Sequence, residues 1–331
     1  MAALSDQLLV FTILSYLVGM VGYAAEYAFG AGGSGSRAAA RPVALVGVAE
    51  GPVAVIAPDA GDGGIPVVRR GRRGPVWAGR LAVAVTALGA AAQVACLATR
   101  ALAAGRVPWG NMYEFIVAVS LVGVIAWLGV SVRRQSARAL GLYVTLAAVV
   151  LLGLAGMGVY AAAGPLVPAL NSAWLKIHVS AAAAASGVFL LGFISAALYL
   201  TRRRYDRQRA LAGPPSGLAA SLGRHLPAAD VLERLTFRLH VFAFPIWTFA
   251  VVAGAIWAEA AWGRYWGWDP KETWAFISWA VYAAYLHARA TPSVTRSTTA
   301  WLAVIGWATM LFNLFAVNLV IGGLHSYAGT N

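Results

Sequence analysis

Five histidines and one tryptophan-rich run are the residues of this 331-residue chain whose types and spacing can do chemistry. The histidines are His178, His225, His240, His287 and His325. The run is Trp257-Ala-Glu-Ala-Ala-Trp-Gly-Arg-Tyr-Trp-Gly-Trp-Asp-Pro-Lys-Glu-Thr-Trp274, and it holds five of the thirteen tryptophans. His178 stands near the start of one long apolar stretch, in Asn171-Ser-Ala-Trp-Leu-Lys-Ile-His178. His325 follows the end of another, in Gly322-Gly-Leu-His-Ser-Tyr-Ala328. Both belong at the depth of the Trp-rich run. Two neutral imidazoles can take the two axial positions of a haem iron, with the porphyrin resting against aromatic planes. A plainer reading makes them interfacial histidines that cap helix ends. The coincidence of two histidines with the Trp run on one face favours ligation.

Within the run, the contact candidates are Trp257, Trp262, Arg264, Tyr265, Trp266, Trp268, Asp269 and Trp274. Gly263 and Gly267 remove side chains where a flat ligand could approach the backbone. Arg264 and Lys271 are cations that could pair with propionates. Tryptophans also form belts at membrane interfaces, but a belt does not require Trp-Gly-x-Tyr-Trp-Gly-Trp in one run. Asp269-Pro270-Lys271-Glu272 reads as a helix start, with Asp at the N-cap, Pro at the first position and Glu at the third. Asp269 is therefore expected to start a helix and fix the loop; direct contact with a ligand is its second reading.

His287 lies 15 residues after Glu272, about 22 Å along a helix, and so belongs near the far end of its span. An ionisable residue inside a span is a functional candidate; the alternative is a snorkelling histidine paired with a carbonyl. A two-histidine site at that depth would need His240, expected to begin the sixth span, or a partner protein. Glu114 is expected to pair inside the bundle. The single cysteine, Cys96, excludes an internal disulfide or a CxxC motif. No nucleophile–base pair, phosphate loop or metalloprotease motif is present.

These residues need membrane helices to position them. The chain is 60% hydrophobic and 11% charged, with mean hydropathy +0.71, which excludes an ordinary soluble domain. Eight apolar stretches of spanning length are expected, at roughly 7–28, 77–103, 111–132, 139–162, 174–200, 239–260, 271–290 and 299–322. The fold class is an all-α, polytopic integral membrane bundle. The net charge of +13 does not point to nucleic acid, because the positive residues cluster between the apolar runs as topology signals do. Loops 29–76, 133–138, 201–238 and 288–298, with Arg80, hold 20 of the 25 basic residues. The positive-inside rule puts them in the cytoplasm, and both termini and the Trp run outside. Residues 1–29 are expected as a first transmembrane helix, not a cleaved signal. Residues 30–76 read as a low-complexity cytoplasmic linker whose basic end, Arg69-Arg70-Gly71-Arg72-Arg73, lies near anionic membrane lipid. Residues 77–331 form the main membrane domain, with its external loop at 257–274.

The run Trp262-Gly-Arg-Tyr-Trp-Gly-Trp-Asp-Pro-Lys-Glu-Thr-Trp274 resembles the WWD signature of haem-handling proteins. Tyr285-Leu-His287-Ala-Arg289 and the ending Val317-Asn318 … Gly323-Leu-His-Ser-Tyr-Ala328 are similar to the CcsA/ResC branch, the System II cytochrome c maturation family called CcsB in some bacteria. Pro108–Glu114 and Trp174–His178 are similar more weakly, and the resemblance covers about 106–331. It implies a protein of the bacterial cytoplasmic membrane. With a ResB-type partner, such a protein moves haem b outward and attaches it to the CxxCH of apocytochrome c, a holocytochrome c synthase (haem lyase) activity. His178 and His325 match the external haem ligands. His287 matches an intramembrane ligand whose mate comes from the partner. His240 matches no family ligand and reads as a helix-end residue. The thiols belong to the apocytochrome, kept reduced by a thioredoxin-like protein. Two other readings stand beside this one: a haem transporter that hands haem to a separate chaperone, as in the CcmC branch, and a scaffold whose Trp loop anchors a partner.

Overall fold

The computed structural model describes residues 1–29, 76–164, 172–213, 218–321 and 323–324. The linker expected over 30–76 falls, but for Val76, outside them, as does His325. Every regular element among the described residues is helical. A membrane imposes this outcome, because a helix satisfies its backbone N–H and C=O groups within one segment where no water can.

In chain order the helices are α1 (Ala2–Phe29), α2 (Val76–Ala104), α3 (Met112–Arg133), α4 (Gly141–Gly158), α5 (Ala173–Ala212), α6 (Leu218–His225), α7 (Ala229–Trp262), α8 (Pro270–Ala290), α9 (Arg296–Leu311) and α10 (Val317–Leu319). A 3₁₀ stretch, Gln135–Leu140, leads into α4, and a π turn, Phe312–Ala316, joins α9 to α10. Seven of the expected spans are long and apolar enough to cross a membrane, the last running from Arg296 to Leu319. The remaining expected span, 271–290, is α8. Its 21 residues reach about 31 Å, but it carries Lys271, Glu272, His287 and Arg289 and is less apolar than the others. It packs on α9 and α7.

α5 and α7 are longer than expected, at 40 and 34 residues. These are about 60 and 51 Å against a hydrocarbon core of about 30 Å, so both project beyond the membrane at their basic ends. The extension of α7 corrects the placement of His240. The sixth span does not begin at residue 239; the helix starts at Ala229, and Arg234 and Arg238 lie on helix, not loop. His240 is therefore an interior residue with no exposure at all.

The bundle is organised around the α5–α7 pair, its most extensive contact. α1 and α2 pair separately; α4 rests on α1 and α3, and α3 links this half to α5. Small residues permit the close approaches, as they do where lipid removes the hydrophobic drive between helices. A Cβ on Gly187 of α5 would lie 2.5 Å from Val122 Cβ of α3, and one on Gly192 would lie 2.6 Å from the His240 ring. Buried polar groups find partners across helices. Tyr16 donates to Gln93 Oε1 at 2.6 Å, and Gln93 Nε2 donates to Val117 O at 2.9 Å and to Ser120 Oγ at 2.8 Å.

Glu114 pairs inside the bundle, as expected for a carboxylate at that depth. It is wholly buried, with Arg100 Nε at 2.8 Å from Oε1 and Arg106 at 2.8 Å from Oε2. Gly110 N–H donates to Oε2 at 2.7 Å, and Arg100 also donates to Ala161 O. This cluster holds the segment 106–112 against the 161–164 segment. Glu114→Ala leaves Arg100, 1% exposed, as an uncompensated buried charge, an effect of about 3–5 kcal/mol. The detergent-solubilised variant should melt well below the wild type, and Arg100→Met in the same chain should recover part of the loss. An unchanged melting midpoint for Glu114→Ala would refute the assignment.

Candidate functional site

The Trp run is a helix end, a tight loop and a helix start. α7 stops at Gly263, which takes the left-handed conformation at φ 70° and donates its N–H to Glu259 O at 2.8 Å, the usual role of a C-terminal glycine. α8 starts at Asp269 with the expected capping box. Asp269 Oδ2 accepts Lys271 N–H at 3.2 Å, and Glu272 Oε2 accepts Asp269 N–H at 3.1 Å and Gly267 N–H at 2.8 Å. Between them Trp268 has φ 58°, costly for a bulky side chain and sustained only where its surroundings over-determine it. Only Gly263 leaves the backbone open, with nothing within 4 Å of where a Cβ would stand, whereas Gly267 lies beneath the guanidinium of Arg264, which folds back over its own loop.

Two cavities meet behind this loop. The larger is an open cleft with a mostly apolar lining. Trp109, Trp247, Trp257 and Trp307 line it, with Phe115 and Met310. It extends down α5 from His178 to Ser186, about 12 Å along the helix axis. The smaller lies under the loop and is lined by Tyr265, Trp266, Gly254 and Glu272. His178, Trp247, Trp257, Lys271 and Ala275 border both.

His178 is fixed where the two meet. Its Nδ1 lies 2.7 Å from the carbonyl oxygen of Ala250 on α7. A carbonyl only accepts, so Nδ1 carries the proton and Nε2 the lone pair suited to a metal. The ring stacks on Trp257, with centroids 6.3 Å apart and planes 11° from parallel. A Cβ on Gly254 would stand 2.8 Å from the ring. Ala250, Gly254 and Ala258, spaced by four, make the small-residue face of α7 that lets the imidazole lie flat against it.

The other residues expected from sequence divide. Trp257, Tyr265 and Trp266 line a cavity. Trp262 packs edge-on against Trp257 at 4.8 Å and backs it. Trp274 packs on Phe312 of the π turn at 4.0 Å. Trp268 is 64% exposed and lines neither cavity, lying edge-on to Trp266 and to Phe276. Asp269 lines neither cavity; its Oδ1 accepts the backbone N–H of Leu324 at 2.8 Å. The loop carboxylate therefore holds the chain at the residue before His325.

His287 and His240 lie apart in orientation. His287 is exposed on the outer face of α8. His240 is walled in by Phe189, Tyr282 and Tyr285, with ring centroids at 5.5, 5.4 and 4.5 Å, and its Nδ1 meets Thr236 O at 2.7 Å. Tyr285 faces His240, so His287, two residues on along a helix, faces away. His240 lines neither of the two cavities. Trp109, Trp247, Trp307 and Asn313 were not singled out by sequence. The one signal for the three tryptophans is that large aromatics recur in otherwise aliphatic stretches; Asn313 has none.

The described residues thus form an all-helical membrane bundle with an aromatic, histidine-bordered cavity behind the Trp-rich loop. The sequence profile described as "Cytochrome C assembly protein" matches residues 109–325. Relatives named "Cytochrome c biogenesis protein CcsA" include one from Trieres chinensis, 32% identical over 254 residues (70% of this chain, 81% of the relative), and one from Gloeobacter violaceus, 32% identical over 263 residues (66% and 78%). One from Guillardia theta is 40% identical over 176 residues, 51% of this chain and 58% of that protein's length. The chain belongs to the cytochrome c assembly family, in its CcsA branch, and its general role is in cytochrome c maturation.

The geometry of Asp269 yields a prediction. Asp269→Ala removes both the cap and the acceptor for Leu324. Hydrogen exchange should show the Leu324 amide at least about tenfold faster, the equivalent of a charged hydrogen bond worth more than 1.4 kcal/mol, with the middle of α9 unchanged. Equal exchange in variant and wild type would mean that Asp269 does not hold this segment.

Proposed function

We propose that the chain is the haem-handling subunit of a System II holocytochrome c synthase. It receives haem b across the bacterial cytoplasmic membrane, holds it at the extracytoplasmic cavity behind the WWD loop, and promotes its attachment to the CxxCH of an apocytochrome c. The observation that carries this reading is the pinned imidazole of His178, beside Trp257, at the border of an aromatic cavity. His325 is the second axial ligand; in support, Asp269 holds Leu324, its neighbour in sequence. Haem is the substrate here, and the covalent chemistry belongs to it and to the apocytochrome.

Each thioether forms when a cysteine S–H adds across a haem vinyl group. Sulfur bonds to the carbon next to the ring and the proton goes to the terminal carbon, so no electrons are gained or lost overall. Such a step needs orientation and exclusion of competing ligands more than a side-chain acid. This chain's own thiol, Cys96, is fully buried and bonded to Ser5, so both sulfurs come from the apocytochrome, kept reduced by a thioredoxin-like protein. His287 is an inner station for haem. Its exposure on α8, turned away from His240, supports a second ligand from a ResB-type partner.

Co-expression with a ResB-type partner and an apocytochrome should yield covalent holocytochrome. His178→Ala should reduce the yield at least about tenfold, consistent with loss of an interaction worth more than 1.4 kcal/mol at the reacting site, and added imidazole should restore part of it. Gly254→Leu, which crowds the His178 ring, should act in the same direction. Haem that copurifies without any holocytochrome would replace the synthase reading with that of a carrier. A purified complex from haem-replete cells with no Soret band would overturn the haem reading itself.

A further inference from the structure

The main cavity is apolar; besides its tryptophans, of which Trp247 has an unpartnered Nε1–H, six polar side chains stand on its walls: Asn111, His178, Ser186, Lys271, Asn313 and Asn318. Three have protein partners that account for their orientation. Asn111 Oδ1 accepts Glu114 N–H at 2.9 Å, His178 Nδ1 lies on Ala250 O at 2.7 Å, and Asn318 Nδ2 donates to Leu314 O at 2.6 Å. Lys271 and Asn313 differ. Lys271 Nζ donates to the backbone oxygen of Asn313 at 3.3 Å, which uses one of its three N–H bonds. No carboxylate among the described residues lies within ion-pair distance of it. Asn313 is 7% exposed, and its side-chain oxygen has no partner.

The local fold brings these two groups together. Lys271 is in the first turn of α8, where the capping box sets its backbone. Asn313 is in the π turn, where Val317 N–H goes to Phe312 O, five residues back, and not to Asn313 O, four back. The Asn313 carbonyl is then the acceptor for Lys271. π turns of this kind recur at functional sites. The unsatisfied Asn313 oxygen is itself an acceptor and calls for a donor; an ammonium on an apolar wall is costly without an anion, and a carboxylate supplies one. It accepts from Lys271 and from the Asn313 amide N–H, while the Asn313 oxygen can take a remaining N–H of Lys271.

Resting on the haem reading above, we infer that Lys271 and Asn313 form the carboxylate-binding end of the site, holding a propionate of the tetrapyrrole. Arg264, the other cation of the loop, does not share this role, since it lies over Gly267 and borders neither cavity. The smaller cavity is unsuited to the acidic edge, because Glu272 lines it and presents Oε1 with no partner. Holding the acidic edge at α8 and the π turn orients the ring in its own plane and so selects the edge left for the apocytochrome.

The test compares haem with its dimethyl ester, binding each to the detergent-solubilised full chain and following the Soret band. Wild type should prefer the diacid at least tenfold. Lys271→Met should cut that preference below threefold, with the Soret maximum unchanged because axial ligation is untouched. Lys271→Arg should retain it, and Asn313→Leu should weaken it. Equal binding of diacid and diester by wild type, or an undiminished preference in Lys271→Met, would overturn the assignment while leaving haem binding in place. Failure of wild type to bind either porphyrin would remove the haem reading and this inference with it.

Discussion

The contact of His178 with α7 is the interaction on which the rest of the site depends. One hydrogen bond to Ala250 O orients the ring, and the absence of a side chain at Gly254 lets it lie flat. Both require α5 and α7 to run in close register, which the small-residue face of α7 permits. A carbonyl acceptor in a helix is normally committed to its own ladder; here it serves a side chain as well, so the orientation of the imidazole is tied to the backbone of a neighbouring helix. The Trp257 stack then sets the plane of the ring relative to the end of α7, and the loop begins beyond Trp262.

Around that pair the architecture separates support from function. The half built from α1 to α4 carries the buried Gln93 and Glu114 networks, which hold helices at fixed rotations where apolar packing against lipid would not. The half built from α5 to α10 carries the cavities, the loop and the π turn. α3 belongs to both: its Glu114 cluster fixes the segment that supplies Trp109 to the cavity wall. A change of rotation in α3 would therefore be felt in the site even though the residues concerned touch no ligand.

How much was legible in the sequence depends on the kind of signal. The helix start at Asp269-Pro270 was readable because capping is local chemistry, complete within four residues. The apolar spans were readable because lipid demands them. The inward faces were not. In a membrane helix, side chains facing lipid and side chains facing the core share one chemistry, so Phe242, 63% exposed, and Trp247, 7% exposed, look alike in sequence. That is why Trp247 and Trp307 were missed as cavity walls. His240 was misplaced for a different reason. Arg234 and Arg238 resemble a loop, whereas α7 continues through them as an amphipathic extension, with Asp230 and Glu233 pairing with Arg234 and Arg289. The π turn has no sequence signature at all, being a register shift forced by packing.

Asp269 gives the loop a property that neither of its contacts has alone. One oxygen serves the first turn of α8 and the other serves the backbone of Leu324, so a single carboxylate is shared between a helix start and the last described residue. The two equilibria are thereby linked. Whatever draws residues 323–324 away frees an oxygen at the helix start, and whatever tightens the helix start raises the occupancy of the tail position, by the same factor in each direction. An event at the chain's end is thus reported to the Trp loop through one side chain, without any movement of the spans beneath it.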